Sequence, residues 1–159
     1  MRIRAAVRSD TSLILAFVRE LAAYERLAAE VVATEDTLAA SLFGAHPAAE
    51  VLIAELDGEA FGFALFFPNY STFLGKAGIY LEDLFVRPGA RGRGVGRALL
   101  SRLAAIATER GYGRLEWAVL DWNESAIGFY EKLGATAQSD WTTYRLTGDA
   151  LSSLGDDGT

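Results

Sequence analysis

Between residues 81 and 100 the chain runs from an apolar strand, through a turn crowded with glycine and arginine, into an amphipathic helix. Few folds accommodate that order. Leu81, Leu84, Phe85 and Val86 supply the strand. The helix begins near Gly94, with Val95, Ala98, Leu99, Leu103, Ile106 and Ala107 at the spacing of one buried face. Between them Gly92, Gly94 and Gly96 let the backbone turn sharply and come close to a ligand, since no Cβ stands in the way. Unpaired N–H groups at a helix start, with the positive end of its dipole, favour phosphate oxygens. Arg87, Arg91, Arg93 and Arg97 add positive charge to the same turn. The turn reads as a phosphate-binding element.

Three kinds of phosphate turn compete for it. A Walker A loop needs Gly-Lys followed by Ser or Thr, whereas Gly94 and Gly96 are followed by Val95 and Arg97. A dinucleotide fingerprint, G-x-G-x-x-G, would place Arg97 or Leu99 at its third glycine, and too little chain follows for a second nucleotide half. The third pattern, Arg/Gln-x-x-Gly-x-Gly/Ala, is met by Arg91, Gly94 and Gly96. It resembles the coenzyme A pyrophosphate loop of the GNAT superfamily of acetyl-CoA-dependent N-acetyltransferases.

Composition narrows the remaining classes. A length of 159 residues suits one domain with a real core. No apolar run approaches the roughly 18 residues of a membrane span, so no membrane association is expected. The absence of cysteine removes disulfides, thiolate metal sites and a cysteine acyl-enzyme, and is compatible with a cytoplasmic address. A single histidine, His46, argues against a histidine triad or a metal cluster, so no metal is expected. The net charge of −6 argues against nucleic acid and suits a cationic substrate better.

Along the chain, residues 3–7 read as a strand, and Ser9 and Asp10 as N-cap candidates for a helix reaching Tyr24. Glu20 and Glu25 lie near its end, with a solvated face and a ligand role both open for Glu20. A second helix is expected from Thr34 to about Phe43, and the two could wall a substrate cleft. Residues 51–56 and 60–67 flank Asp57-Gly58, a strong hairpin signal. Pro68 is expected to break the second strand, leaving Tyr70 and Phe73 on a loop. A strand over 78–86, the helix from Gly94 and a strand over 114–120 make a parallel crossover. Asn123 caps a helix over 124–133, and a closing hairpin over 135–137 and 141–146 is expected. The layout is α/β with a mixed sheet. One domain over 1–150 and a frayed tail over 151–159 follow.

Acetyl transfer to an amine needs a proton acceptor for the ammonium and a proton donor for the departing thiolate. Glu82 and Asp83 are adjacent carboxylates in an otherwise apolar strand, and such breaks in pattern tend to mark function. Strand neighbours point to opposite faces, so only one of them can face a given cleft. Glu82 is a candidate base; the competing reading is a salt bridge to a facing arginine. Tyr130 shares a helical face with Ala126, Ile127 and Leu133, so it reads either as a core tyrosine or as a phenol proton donor. Asn123 is first a cap, and His46 has no assigned role.

Beyond the turn, residues 80–83, 119–123 and 129–135 resemble the diamine (spermidine/spermine) N-acetyltransferase branch of GNAT, as do 19–25 and 43–47. The similarity spans about residues 3–146. The resemblance implies a GNAT acyltransferase fold: a mixed, mostly antiparallel sheet with a central parallel strand pair, flanked by helices. It implies Glu82 as base, directly or through water, and Tyr130 as acid. It implies acetyl-CoA held by Leu84, Phe85, Val86, Arg91, Gly92, Arg93, Gly94, Val95, Gly96 and Arg97, with Asn123 and Tyr130 on the pantetheine side. Glu25, Glu82, Asp83 and Asp121 would meet a small cationic amine such as a polyamine, thia-lysine or a lysine-like molecule. A homodimer is expected. Direct attack in a ternary complex is the expected course. The competing readings are a protein or aminoglycoside acceptor, and a non-catalytic acyl-CoA-binding sensor. The hairpin turn at Asp57-Gly58 is shorter than in animal polyamine enzymes, and residues 69–73 differ, so the amine carries over only loosely.

Overall fold

Val51, Ile53, Phe63 and Phe85 stand at alternating positions of neighbouring strands, and a sheet puts such residues on one face. The computed structural model, which describes residues 1–156, has a five-stranded sheet in the order β1-β2-β3-β4-β5. The strands are β1 (Arg2–Ala5), β2 (Glu50–Leu56), β3 (Glu59–Ser71), β4 (Lys76–Val86) and β5 (Leu115–Trp117). All neighbours are antiparallel except β4 and β5, which are parallel. The helices are α1 (Thr11–Tyr24), α2 (Glu35–Phe43), α3 (Val95–Glu109), α4 (Glu124–Lys132) and α5 (Gly148–Asp156). The chain forms two compact parts, Met1–Leu120, which holds the whole sheet, and the part from Asp121 onward, which holds α4 and α5.

In the first part, α1 lays Ile14, Phe17 and Leu21 on the sheet face formed by Val51, Ile53, Phe63 and Phe85, with Leu42 of α2 beside them. Phe17 stacks on Phe63 with centroids 5.3 Å apart and meets Phe85 edge-on at 6.3 Å. Aromatic pairs of this kind add about 0.5–1.5 kcal/mol beyond their buried area. The apolar stripe of α3, with Val95, Leu99, Leu103 and Ile106 buried, packs against the strands as well. Arg4 ties β1 to β2 through Glu55 (2.6 Å) and to the turn before α1 through Asp10 (2.7 and 2.9 Å). Contrary to the expectation from sequence, the Asp10 side chain does not cap α1; its carboxylate accepts from Val7 N (2.8 Å) and serves Arg4. That guanidinium holds the Asp10 carboxyl below the usual range. Thr34 does cap α2, its hydroxyl accepting from Thr37 N.

Several boundaries differ from the expectations. The hairpin at Asp57-Gly58 forms, with both residues at positive φ. Pro68, expected to break β3, lies inside it opposite Ile79. Ile79 N donates to Arg114 O on the β5 side, so this pair turns its backbone groups away from each other. The N–H that proline lacks then faces an edge β2 has left, since Phe66 is the last residue of β3 opposite β2. β5 spans three residues and not seven, because it pairs with β4 only as far as Leu81.

In the second part, Asn123 caps α4 by accepting from Ala126 N (3.3 Å). The expected closing hairpin is absent: residues 135–137 and 141–146 form no strand. An isolated two-stranded hairpin is marginal in water, and these segments have no third strand to lean on within their part. Residues 151–156, expected to be frayed, belong to α5, which is exposed along its length. The remainder of the expected tail, 157–159, lies outside the described residues.

Candidate active site

A phosphate site at the start of α3 needs backbone N–H groups with no internal partner. Gly92 and Gly94 take φ of +74° and +81°, values that favour glycine, and these turns deliver the chain into Val95. Gly94 is the N-cap, and no side chain caps the helix. The first intrahelical bond found runs from Ala98 N to Gly94 O, so the amides of Val95, Gly96 and Arg97 precede the ladder. Gly96 lies within the helix and takes no left-handed φ. Arg91, Arg93 and Arg97 are exposed, and none makes an ion pair among the described residues. Exposed, unneutralised cations beside free helix amides suit an anion.

Arg87, which the sequence places in the same turn, is committed elsewhere. Its guanidinium donates to Glu20 (2.7–3.2 Å) and to Ala60 O (3.0 Å), and lies 4.6 Å from the centroid of the Phe17 ring. Glu20 is therefore neither solvated face nor ligand: it pins the end of β4 to α1.

β4 carries the second feature. Asp83 stands opposite Leu65 and Leu81 opposite Phe66, so Glu82 is the extra residue of a β-bulge. A bulge re-aims side chains, which is why strict alternation fails for Glu82 and Asp83. Glu82 is exposed. The arginine partner that would have explained it structurally is missing: neither Glu82 nor Asp83 makes an ion pair among the described residues. Burial pushes the Asp83 carboxyl up to about 6, assisted by the negative charges of Glu82 and Glu25. Burial also raises Glu25, one residue past the end of α1. The fold thus gathers Glu25, Glu82 and Asp83 into one electrostatic group. No group of three or more His, Asp or Glu residues that could hold a metal ion occurs among the described residues.

The bulge coincides with an opening in the sheet. Leu81 opposite Trp117 is the last pair between β4 and β5. Residues 82–86 keep β3 on one edge and, among the described residues, pair with no strand on the other, so that edge of Leu84, Phe85 and Val86 can take an extended amide-bearing ligand. The open edge leads directly into the glycine turn. An extended arm ending in phosphates fits this order of features.

The profile of the Acetyltransferase (GNAT) family matches residues 15–135. The chain belongs to the GNAT acetyltransferase family. The GNAT match crosses both compact parts of the chain. A thialysine N-epsilon-acetyltransferase of Bos taurus is 39% identical, over 96% of this chain and 95% of its own length. An L-ornithine N5-acetyltransferase of Arabidopsis thaliana is 37% identical, over 96% of this chain and 87% of its own. Among solved structures, an integron cassette protein from the mobile metagenome of V. cholerae superposes with a TM-score of 0.80 at 29% identity, covering 97% and 96% of the two chains. The protein is thus a GNAT N-acetyltransferase, with acetyl-CoA as the family's co-substrate.

The other GNAT candidates lie on the second part. Asn123 caps α4, Tyr130 is half-buried on the same helix with its ring 5.4 Å from that of Phe129, and Asp121 is exposed in the preceding turn. Two features escaped sequence reading: the bulge, signalled only by a carboxylate pair breaking the apolar pattern, and the commitment of Arg87, which no local signal announces.

Proposed function

We propose that this acetyltransferase transfers acetyl from acetyl-CoA to a primary amine of a small cationic molecule, by direct attack while both substrates are bound. The single observation that carries the reading is the bulge at Glu82, which leaves an unpaired carboxylate beside the open edge of β4. Glu82 takes the proton from the acceptor ammonium, directly or through water. The freed amine attacks the thioester carbonyl, the new C–N bond replaces the C–S bond, the Tyr130 phenol protonates the departing thiolate, and the second proton of the attacking nitrogen passes through water to restore the phenol. Leu84, Phe85 and Val86 offer backbone groups to the pantetheine arm, and Asn123 is the further residue proposed to hold it. Arg91 to Arg97, with the amides of Val95 and Gly96, take the pyrophosphate.

Glu25, Glu82, Asp83 and Asp121 form the acceptor side, and their charge favours a polyamine, thia-lysine, ornithine or a lysine-like amine. The thialysine and ornithine activities of the relatives support this substrate class. The lack of cysteine supports direct transfer over a thioester-linked enzyme, and suits a cytoplasmic enzyme. A homodimer with one catalytic domain over residues 1–150 completes the reading.

The test is a panel of amines with acetyl-CoA and a free-thiol readout. Turnover with thialysine, ornithine or spermidine, well above that with aminoglycosides or peptide N-termini, is expected. Preference for a peptide or an aminoglycoside would move the acceptor to another class. Tight acetyl-CoA binding with no thiol release from any amine would make the protein a sensor.

A further inference from the structure

Arg91 is the first arginine of the glycine turn, and its side chain is not loose. Its Nε donates to Val86 O (2.9 Å), and its guanidinium lies 4.7 Å from the centroid of the Tyr24 ring and 5.8 Å from that of Phe85. A guanidinium carries five N–H donors, and among the described residues only the one on Nε is used. A cation held by its face against aromatic rings keeps its edge available, so the terminal nitrogens of Arg91 can still donate to an anion.

The seat is itself held firmly. Tyr24 is the last residue of α1, and the helix closes behind it with Leu27 N donating to Ala22 O (2.8 Å) and Arg26 N to Ala23 O (3.2 Å). This closure sets Arg26 at φ +63°, a left-handed value that is costly for a residue with a Cβ. Tyr24 is directly followed by Glu25, whose charge acts on Asp83. One short segment thus meets the arginine of the glycine turn through Tyr24 and acts electrostatically on Asp83 through Glu25.

We infer that Tyr24 is a positioning residue for the co-substrate: its ring holds the Arg91 guanidinium with its free edge presented to the pyrophosphate of acetyl-CoA. The inference rests on the proposed role of the glycine turn. Without the ring, Arg91 samples more rotamers and must be ordered by the ligand, which weakens binding without altering the chemical step. A cation–π contact at a half-exposed site corresponds to roughly a 3- to 30-fold change in affinity.

The experiment is a double-mutant cycle with Tyr24→Leu and Arg91→Ala, read by calorimetry with acetyl-CoA. Tyr24→Phe is the conservative variant, and Tyr24→Met a second non-aromatic one should Tyr24→Leu fold poorly. Tyr24→Leu is expected to raise the Kd roughly 3- to 30-fold, while Tyr24→Phe stays within about twofold of the wild type. In the Arg91→Ala background the loss of the ring should change nothing further, and kcat at saturating acetyl-CoA should hold. With S-acetylpantetheine, a donor lacking the pyrophosphate, Tyr24→Leu and wild type should be equally active. Unchanged Kd in the non-aromatic variants, equal losses in both backgrounds, or an equal loss with S-acetylpantetheine would overturn the inference while leaving the pyrophosphate site standing. Wild-type protein that bound acetyl-CoA and S-acetylpantetheine equally well would overturn the pyrophosphate reading, and this inference with it.

Discussion

Asp83 lies on β4 with its carboxyl pushed up to about 6 by burial and by the charges of Glu82 and Glu25, so the folded state holds its proton more tightly than the unfolded chain does. Folding stability tied to this group is therefore greatest at low pH and declines as pH rises from about 4 to about 6. Above that range the full cost of an ionised, partly buried carboxylate is present. Asp83→Asn should stabilise the protein by roughly 1–2 kcal/mol at pH 7.5, with the difference vanishing near pH 4. Urea unfolding at the two pH values checks this, and an equal effect at both would assign the change to packing. The same substitution should raise the Michaelis constant for a cationic amine. Glu82 and Tyr130 separate differently. Tyr130→Phe keeps the ring and should lower kcat roughly 10²- to 10⁴-fold with acetyl-CoA affinity little changed. Glu82→Gln should cost most at neutral pH and recover partly at high pH, where more of the amine is deprotonated. Full turnover by Tyr130→Phe across the pH range would return that phenol to helix packing and give the proton transfer to water.

At the scale of elements, the proposed reaction divides its work between the start of α3, for the donor, and the bulge in β4, for the acceptor. Gly94 and Gly96 differ in what they contribute. Gly94 needs φ +81°, so any side chain there strains the turn, whereas Gly96 sits in the helix without a left-handed φ. Gly94→Val should lower both the thermal midpoint and acetyl-CoA affinity. Gly96→Val should lower affinity at least tenfold for about 1 kcal/mol or less of stability. Paired calorimetry and thermal unfolding measure both, and undiminished affinity in folded Gly96→Val would show that no ligand approaches that amide. The strand carrying Glu82 is braced from the other side by Arg87, whose bond to Glu20 joins β4 to α1.

Over the whole molecule, a net charge of −6, with the acidic group that the proposed function puts at the acceptor side, would favour cationic amines before contact. Added salt should raise the Michaelis constant for di- and polyamines several-fold between about 20 and 300 mM, as the Debye length shrinks, while leaving kcat nearly unchanged. Initial rates across a salt series test it, and a Michaelis constant insensitive to salt would remove the acidic group from recognition.

Much of this protein was written locally. Asp57-Gly58 dictates its hairpin through positive φ, Thr34 and Asn123 mark their helices through capping chemistry, and the glycine turn leaves amides unbonded because left-handed residues stand before an amphipathic helix. Such features depend on neighbours within a few residues, so the chain alone determines them. Pro68 inside β3, the loss of the hairpin over 135–146, the bulge at Glu82 and the pairing of Arg87 with Glu20 depend on residues far away in sequence. Whether a proline breaks a strand is decided by which edge is covered, and whether an arginine meets phosphate or carboxylate by what packing brings within about 3 Å. Strand register and ion pairing are properties of assembled surfaces, and only the tertiary structure could decide them.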